Sequence, residues 1–312
     1  MNHLPKHLLD IDHIDKDYIY DLLELTMKLK NDKSSFKKYD KNICALFYED
    51  STRTKLSFQK ASSNLDLKFH NLDVSRSSLN KGESLYNTIK TINSIGMDLF
   101  IIRHPASGAA NFLAKNTNSV VINAGDGSHA HPTQTLSDLF TIYELGKNFE
   151  DLEISIIGDI IFSRVARSNI LGFLKMGSRI NILGPKELIS TEIIKTYESL
   201  SKSYKGRINV YEDLEEPIMN SDILMTLRIQ KERFDSNINI DFETYKSRWQ
   251  IDSDFVRKFE KEILIMHPGP VNEEIELSHE MVNSSISLIS RQVENGVHVR
   301  QVLLEKLLIQ NE

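Results

Sequence analysis

Ser51, Thr52, Arg53 and Thr54 stand where an apolar stretch, Ile43–Tyr48, gives way to a polar turn and then to an amphipathic run with Phe58, Ala61 and Leu65 on one face. A helix beginning at that turn leaves backbone N–H groups unpaired and carries partial positive charge, and hydroxyls and a guanidinium add further donors. Such a site suits a doubly charged oxyanion. The plainer alternative is that Ser51 or Thr52 caps the helix and Arg53 is a solvated charge. No glycine-rich run ends in Gly-Lys-Ser/Thr and no G-x-G-x-x-G is convincing, so nucleotide binding is unsupported.

A second loop, IIRHPASGAA, has an apolar strand delivering Arg103 and His104 to its carboxyl end, the edge at which open α/β sheets bind ligands. Arg103 could add a fixed positive charge or be an ordinary surface arginine. His104 precedes Pro105 and is expected to shape the backbone. A third loop, NAGDGSHAHPTQTLSDLF, places His131 just before a helix opened by Pro132, with Gln134 in the first turn. A His can polarise a carbonyl, and a Gln amide can both accept from and donate to an acyl NH2 group. Capping is the competing role for His131.

Further along, GDIIFSRVARSN and ILMTLRIQKER each run from a strand into a cation-bearing loop, bringing Arg164, Arg228 and Gln230. The planar guanidinium fork suits carboxylates, so two arginines fit a dicarboxylate. Arg167, Lys231 and Arg233 read as solvated charges. Across these loops there is no Ser-His-Asp spacing, no metal-ligand cluster and no carboxylate pair, so neither metal nor cofactor is expected. Glu83 and Asp126 read as structural carboxylates of caps and turns.

The elements that must position these loops alternate between short β-branched runs and longer amphipathic segments, the rhythm of parallel strands with helical crossovers. Strands are expected at Ile43–Tyr48, Leu99–Ile102, Ser119–Asn123, Glu153–Ile157, Arg179–Leu183, Ile223–Thr226 and Ile263–Met266, and a helix at Thr133–Leu145. With 312 residues, two domains are expected, 1–146 and 147–284. The fold class is α/β, each domain a mostly parallel sheet flanked by helices. A terminal helix, with Ile286, Ile289 and Val293 on one face, is expected to return 285–312 to the first domain. Lys231–Trp249, long and mixed in charge, is nominated as a mobile lid.

A net charge of −6 gives no global attraction to nucleic acid or anionic membrane. No apolar run is long enough to span a bilayer, and the opening carries charges where a signal peptide needs apolar residues, so a cytoplasmic location is expected. The single cysteine, Cys44, lies among apolar neighbours and is expected to be packed in a strand.

These residues resemble the aspartate and ornithine carbamoyltransferase family, whose Ser-Thr-Arg-Thr motif appears here as STRTKLSF. The resemblance extends through KGES at 81–84, RHP at 103–105, HPTQTLSDL at 131–139, GDIIFSRVARSN at 158–169, LRIQKER at 227–233 and HPGPVN at 267–272. HPGP resembles the aspartate branch, whereas the ornithine branch carries His-Cys-Leu-Pro there. The resemblance implies carbamoyl transfer from carbamoyl phosphate to L-aspartate, an early step of pyrimidine biosynthesis. A different amine acceptor such as ornithine, or an inactive relative kept as an assembly subunit, are the alternatives.

Carried over by position, the resemblance implies that Ser51, Thr52, Arg53 and Thr54 hold the phosphate with Arg103, and that Thr54, Arg103 and His131 polarise the carbamoyl oxygen. Gln134 and backbone carbonyls near Pro268, Gly269 and Pro270 would hold the carbamoyl NH2. Arg164, Arg228 and Gln230 would bind aspartate, with Lys81 reaching both substrates from a loop that also carries Ser77. In this family that loop enters a neighbouring subunit's site, which implies a homotrimer, with regulatory or pathway-enzyme chains as further partners. This sequence departs from the family at Glu273 and Glu274, where many relatives carry an arginine, and at Val165, where some have a hydroxyl.

Overall fold

The computed structural model describes residues 5–32, 38–73, 84–230, 233–234, 240–259 and 262–309. The chain divides into two compact units, one of residues 1–140 with 293–312 and the other of 141–292.

In the first unit the order is α1 (Lys16–Asn31), β1 (Asn42–Phe47), α2 (Thr52–Asn64), β2 (Lys68–Asp73), α3 (Leu85–Ile95), β3 (Leu99–His104), α4 (Ala109–Lys115), β4 (Val120–Asp126) and α5 (Pro132–Tyr143), the last crossing into the second unit. The strands pair parallel in the order β2-β1-β3-β4. β1 and β4 are buried along most or all of their length because helices cover both faces, which is why they read as continuous apolar runs. Phe58, Ala61 and Leu65 are fully buried, as their spacing predicts, and Cys44 is packed within β1. Burial pushes the Cys44 thiol up to about 11, so it is a packing group and not a nucleophile at neutral pH.

The second unit continues with β5 (Glu153–Ile157), α6 (Arg164–Met176), β6 (Arg179–Leu183), α7 (Thr191–Ser201), β7 (Arg207–Tyr211), α8 (Glu215–Asn220), β8 (Ile223–Thr226), α9 (Phe242–Trp249), α10 (Ser253–Val256), β9 (Leu264–Met266) and α11 (His279–Val282). Its strands are also parallel, ordered β7-β6-β5-β8-β9. The strand ends approach closely beyond β5. Gly158 (φ +117°) would drive a Cβ to 3.0 Å from the Leu227 carbonyl, and Gly184 (φ +156°) would drive one to 2.7 Å from the Gly158 carbonyl.

The terminal helix α12 (Ile289–Ile309) packs its later turns on the first unit. There Asn64 Nδ2 donates to Gln301 Oε1 (2.8 Å), Tyr39 Oη donates to Glu305 Oε1 (2.7 Å), and the buried Val299, Val302, Leu303 and Leu307 form the apolar face. Three expectations need correction. Ile286 precedes the helix, its carbonyl accepting from Ile265 N–H in a strand-like bridge, and Val293 is exposed. Two strands went unpredicted: β2, with the polar sequence KFHNLD, and β7, whose residues are largely exposed. Finally, Lys231–Trp249 is not a loop throughout, since α9 closes it with Tyr245 and Trp249 buried in the core.

Candidate active site

Both units have a topological switch point, where successive strands depart to opposite sides of the sheet. In the first it lies between β1 and β3, in the second between β5 and β8. The loops leaving such a pair diverge and open a crevice at the carboxyl edge, the usual ligand position in open α/β sheets.

The first crevice is bordered by the β1–α2 turn and by Arg103, which pairs in register with Phe47 at the end of β1. Ser51 occupies the N-cap position of α2, but its side chain makes no capping hydrogen bond, and no acidic residue lies in the first turn. The capping alternative is therefore not realised. Arg53 and Thr52 are exposed on that first turn and Thr54 is buried beneath them. Arg103 is half-buried. Its Nη1 reaches the Ala124 carbonyl (3.5 Å) and its Nε lies 3.4 Å from Glu49 Oε2, so it is oriented by its surroundings and is not a loose surface charge. His104 shapes the backbone as expected: its Nδ1 accepts from Ala106 N–H (2.9 Å) and its ring lies 4.6 Å from that of Tyr48.

Asp126, at the end of β4, clamps this region. It accepts from Gly108 N–H (2.7 Å), Asn123 Nδ2 (2.8 Å) and Ala130 N–H (3.2 Å), with His129 Nδ1 at 3.1 Å. Burial alone would push this carboxyl up, but the hydrogen bonds from His129, Asn123 and Gly108 outweigh it and hold the group below the ordinary carboxylate range. The clamp fixes the turn that leads to His131, which is buried and whose carbonyl accepts from Gln134 N–H (3.0 Å) and Thr135 N–H (3.3 Å) to start α5. Gln134, the third residue of the helix, is half-buried, and its Nε2 donates to Asp138 Oδ1 (2.9 Å).

In the second crevice, Arg164 opens α6 and is buried, while Ser163 caps the helix by accepting from Ala166 N–H (3.1 Å). Arg228 and Gln230 leave the end of β8. Gln230 Nε2 donates to the Phe162 carbonyl (3.1 Å), so the two loops are stitched together. The fully buried Asp159 completes the stitch by accepting from Phe162 N–H (2.9 Å) and Gln230 N–H (3.4 Å). Arg167 and Arg233 are not solvated charges: Arg167 Nη2 donates to the Ile161 carbonyl (3.0 Å) and Arg233 Nη1 to the Phe162 carbonyl (3.1 Å), bracing the same loop. Next to β8, strand β9 delivers His267 and the turn through Pro268, Gly269 and Pro270 to the same edge.

Lys81, Ser77, Glu83 and Lys231 lie outside the described residues. Sequence reasoning overlooked the buried groups behind the crevices: Asp159, Asp138, His267 and Glu276. The signal for Asp138 was its place one helical turn after Gln134. Glu273 and Glu274 find local partners, His279 Nδ1 at 2.7 Å from Glu273 and Lys246 Nζ at 3.6 Å from Glu274. Among the described residues no group of three or more His, Cys, Asp or Glu side chains is arranged to hold a metal ion, and no helix is long and apolar enough to cross a membrane.

Comparison with known proteins shows which family the chain resembles along its length. Residues 6–144 match the model of the aspartate/ornithine carbamoyltransferase carbamoyl-P binding domain, and residues 150–307 match that of the Asp/Orn binding domain. An aspartate carbamoyltransferase catalytic subunit from Ruminiclostridium cellulolyticum is 42% identical over 309 residues, covering 97% of this chain and 96% of that one. The catalytic subunit of M. jannaschii aspartate transcarbamoylase superposes with a TM-score of 0.85 at 32% identity, covering 98% and 99% of the two chains. The Trypanosoma cruzi aspartate transcarbamoylase in complex with carbamoyl phosphate and aspartate superposes with a TM-score of 0.86 at 28% identity, covering 96% and 95%. The chain therefore belongs to the aspartate/ornithine carbamoyltransferase family.

Proposed function

We propose that the protein transfers the carbamoyl group of carbamoyl phosphate to L-aspartate, giving N-carbamoyl-L-aspartate and phosphate. The observation that carries this reading is the uncapped N-terminus of α2 at the β1/β3 switch point, with Thr52 and Arg53 on its first turn and Arg103 at the neighbouring strand end. Unsatisfied helix donors, hydroxyls and two guanidinium groups match a phosphate dianion. The second crevice, with Arg164, Arg228 and Gln230 on mutually braced loops, matches a dicarboxylate acceptor.

In this reading Ser51, Thr52, Arg53, Thr54 and Arg103 hold the phosphate, and Gln134 with the Pro268–Pro270 turn holds the carbamoyl NH2. The neutral amine of aspartate attacks the carbamoyl carbon, forming the new C–N bond. Negative charge collects on the carbonyl oxygen, where Thr54, Arg103 and His131 donate, each preorganised donor contributing about 3–4 kcal/mol. The C–O bond to phosphate then breaks. The departing phosphate keeps the electron pair and takes the amine proton, so no side-chain base is required. Lys81 is assigned to both substrates on family resemblance alone.

A homotrimer, with the segment bearing Ser77 and Lys81 serving a neighbouring subunit, belongs to the same reading on family resemblance, and the description of relatives as catalytic subunits supports an assembly of more than one chain. So does a role early in pyrimidine synthesis. A cytoplasmic location is supported by the single buried cysteine, which offers no disulfide framework.

The test is incubation with carbamoyl phosphate and a panel of amine acceptors. N-carbamoylaspartate should form from aspartate. Ornithine's terminal ammonium faces like charge in the Arg164/Arg228 crevice, and it should be a poor acceptor. Efficient citrulline formation without carbamoylaspartate would overturn the reading.

A further inference from the structure

Gln134 reaches Asp138 through Nε2, and this fixes more than its position. A primary amide has one end that donates and one that accepts, and the two are nearly the same shape. Asp138 is fully buried on the same helix, one turn on, and an ionised carboxylate there only accepts. The amide must therefore present its NH2 to Asp138, which leaves Oε1 as the end available to a ligand.

A buried cation lies within electrostatic reach of this carboxylate. Arg300, on α12, is only 4% exposed and interacts electrostatically with Asp138. Its guanidinium lies 5.2 Å from the Phe58 ring of α2, and Gly296 leaves the space that Arg300 Nη1 fills, since a Cβ at that glycine would collide with it. Burial lowers Arg300 to about 10 against the opposing pull of Asp138, so it stays charged at neutral pH. An Asp–Arg pair at this depth is a poor source of net stability compared with apolar packing of the same volume. A role beyond stability accounts for its presence at the back of this particular glutamine.

We propose that Asp138, backed by Arg300, is a positioning residue that orients the Gln134 amide with Oε1 toward the ligand, so that the site selects an acyl phosphate bearing an NH2 donor over an isosteric one bearing CH3. The proposal rests on the carbamoyl phosphate reading above. A carbamoyl NH2 donates to Oε1, whereas an acetyl methyl group leaves that acceptor desolvated and unpaired, which is what discriminates the two.

The test uses two unreactive phosphonates of matched shape, phosphonoacetamide and acetonylphosphonate, with affinities measured by calorimetry on the full-length protein. Wild type should prefer the amide by roughly tenfold or more. The double variant Asp138→Leu/Arg300→Met removes the buried pair as a unit and leaves no uncompensated charge. Its preference should fall toward one, while its affinity for inorganic phosphate stays within about twofold. Should that variant fail to fold, Asp138→Asn keeps the shape but can present either end of its amide, and the preference should be intermediate. An unchanged preference in either folded variant overturns the positioning role alone. A wild type that binds both phosphonates equally also overturns it, yet leaves the phosphate cradle standing. A wild type that binds neither overturns the carbamoyl phosphate reading itself.

Discussion

His267 Nε2 and Glu276 Oε1 lie 3.3 Å apart, and both side chains are excluded from solvent. His267 Nδ1 accepts from Gly269 N–H (2.8 Å), so the ring proton sits on Nε2 and is donated to Glu276. Glu276 Oε1 also accepts from Asn272 N–H (2.7 Å), and His267 N–H donates to Gln292 Oε1 (2.9 Å). The pair thus ties both ends of the turn that carries Pro268, Gly269 and Pro270.

Replacing Glu276 by Leu should leave the Nε2–H of His267 unpaired in the interior, at a cost of about 1–3 kcal/mol in urea unfolding. Glu276→Gln retains an acceptor and should cost less. If the turn holds the carbamoyl NH2, Glu276→Gln should raise KM for carbamoyl phosphate more than KM for aspartate. A pair that serves packing alone would lower stability and leave both constants near wild type.

Arg53 is exposed on the first turn of α2, so Arg53→Ala should leave the melting temperature nearly unchanged, surface substitutions usually staying within about 0.5 kcal/mol. Turnover should fall by roughly a hundredfold or more, the usual consequence of removing an electrostatic donor from a transition state. Arg228 belongs to the other crevice, so Arg228→Ala should raise KM for aspartate far more than KM for carbamoyl phosphate. Steady-state kinetics with each substrate varied in turn checks both, and equal changes in the two constants for Arg228→Ala would contradict its assignment.

Much of this architecture could be read from periodicity. The inward residues of α2, and Ala166, Ile170, Phe173 and Leu174 of α6, are all fully buried. Edge strands were harder: Val210 of β7 is exposed, and nothing in RINVY separates an edge strand from a loop. The residues bordering the crevices announced themselves by type and by their place after apolar runs. Their supports did not, because Asp159, Asp126 and Glu276 act through backbone N–H groups set by tertiary structure, and a sequence does not reveal which N–H a carboxylate will meet. Arg167 and Arg233 illustrate the same limit, since their partners are carbonyls of a loop whose shape only the fold defines. Strand order, and with it both switch points, was equally invisible before the sheets were assembled.

Asp126 should make stability acid-sensitive. Its folded-state pKa lies below the ordinary value of 3.8, so its hydrogen bonds contribute stability fully above that value, and the contribution is lost as pH falls through the depressed folded pKa. Denaturant titrations of wild type and Asp126→Asn should therefore differ fully near neutral pH, begin to approach each other as pH falls past 3.8, and converge only below the depressed folded pKa. A constant difference across the acid range would mean that the carboxylate charge is not what clamps Gly108 and Ala130.

Glu274 holds φ at +66°, in the left-handed region where a non-glycine residue is strained by about 1–2 kcal/mol. Its carboxylate offsets part of this by accepting from His279 N–H (2.9 Å), while the partly exposed ion pair to Lys246 contributes little. Glu274→Ala and Glu274→Gly both remove the carboxylate, but only glycine relieves the backbone. The glycine variant should be the more stable of the two by about 1 kcal/mol in urea unfolding, even after the greater entropy glycine loses on folding. Equal stabilities would show that the residue is not held left-handed in solution, and would place the turn between Asn272 and Leu277 in another backbone conformation.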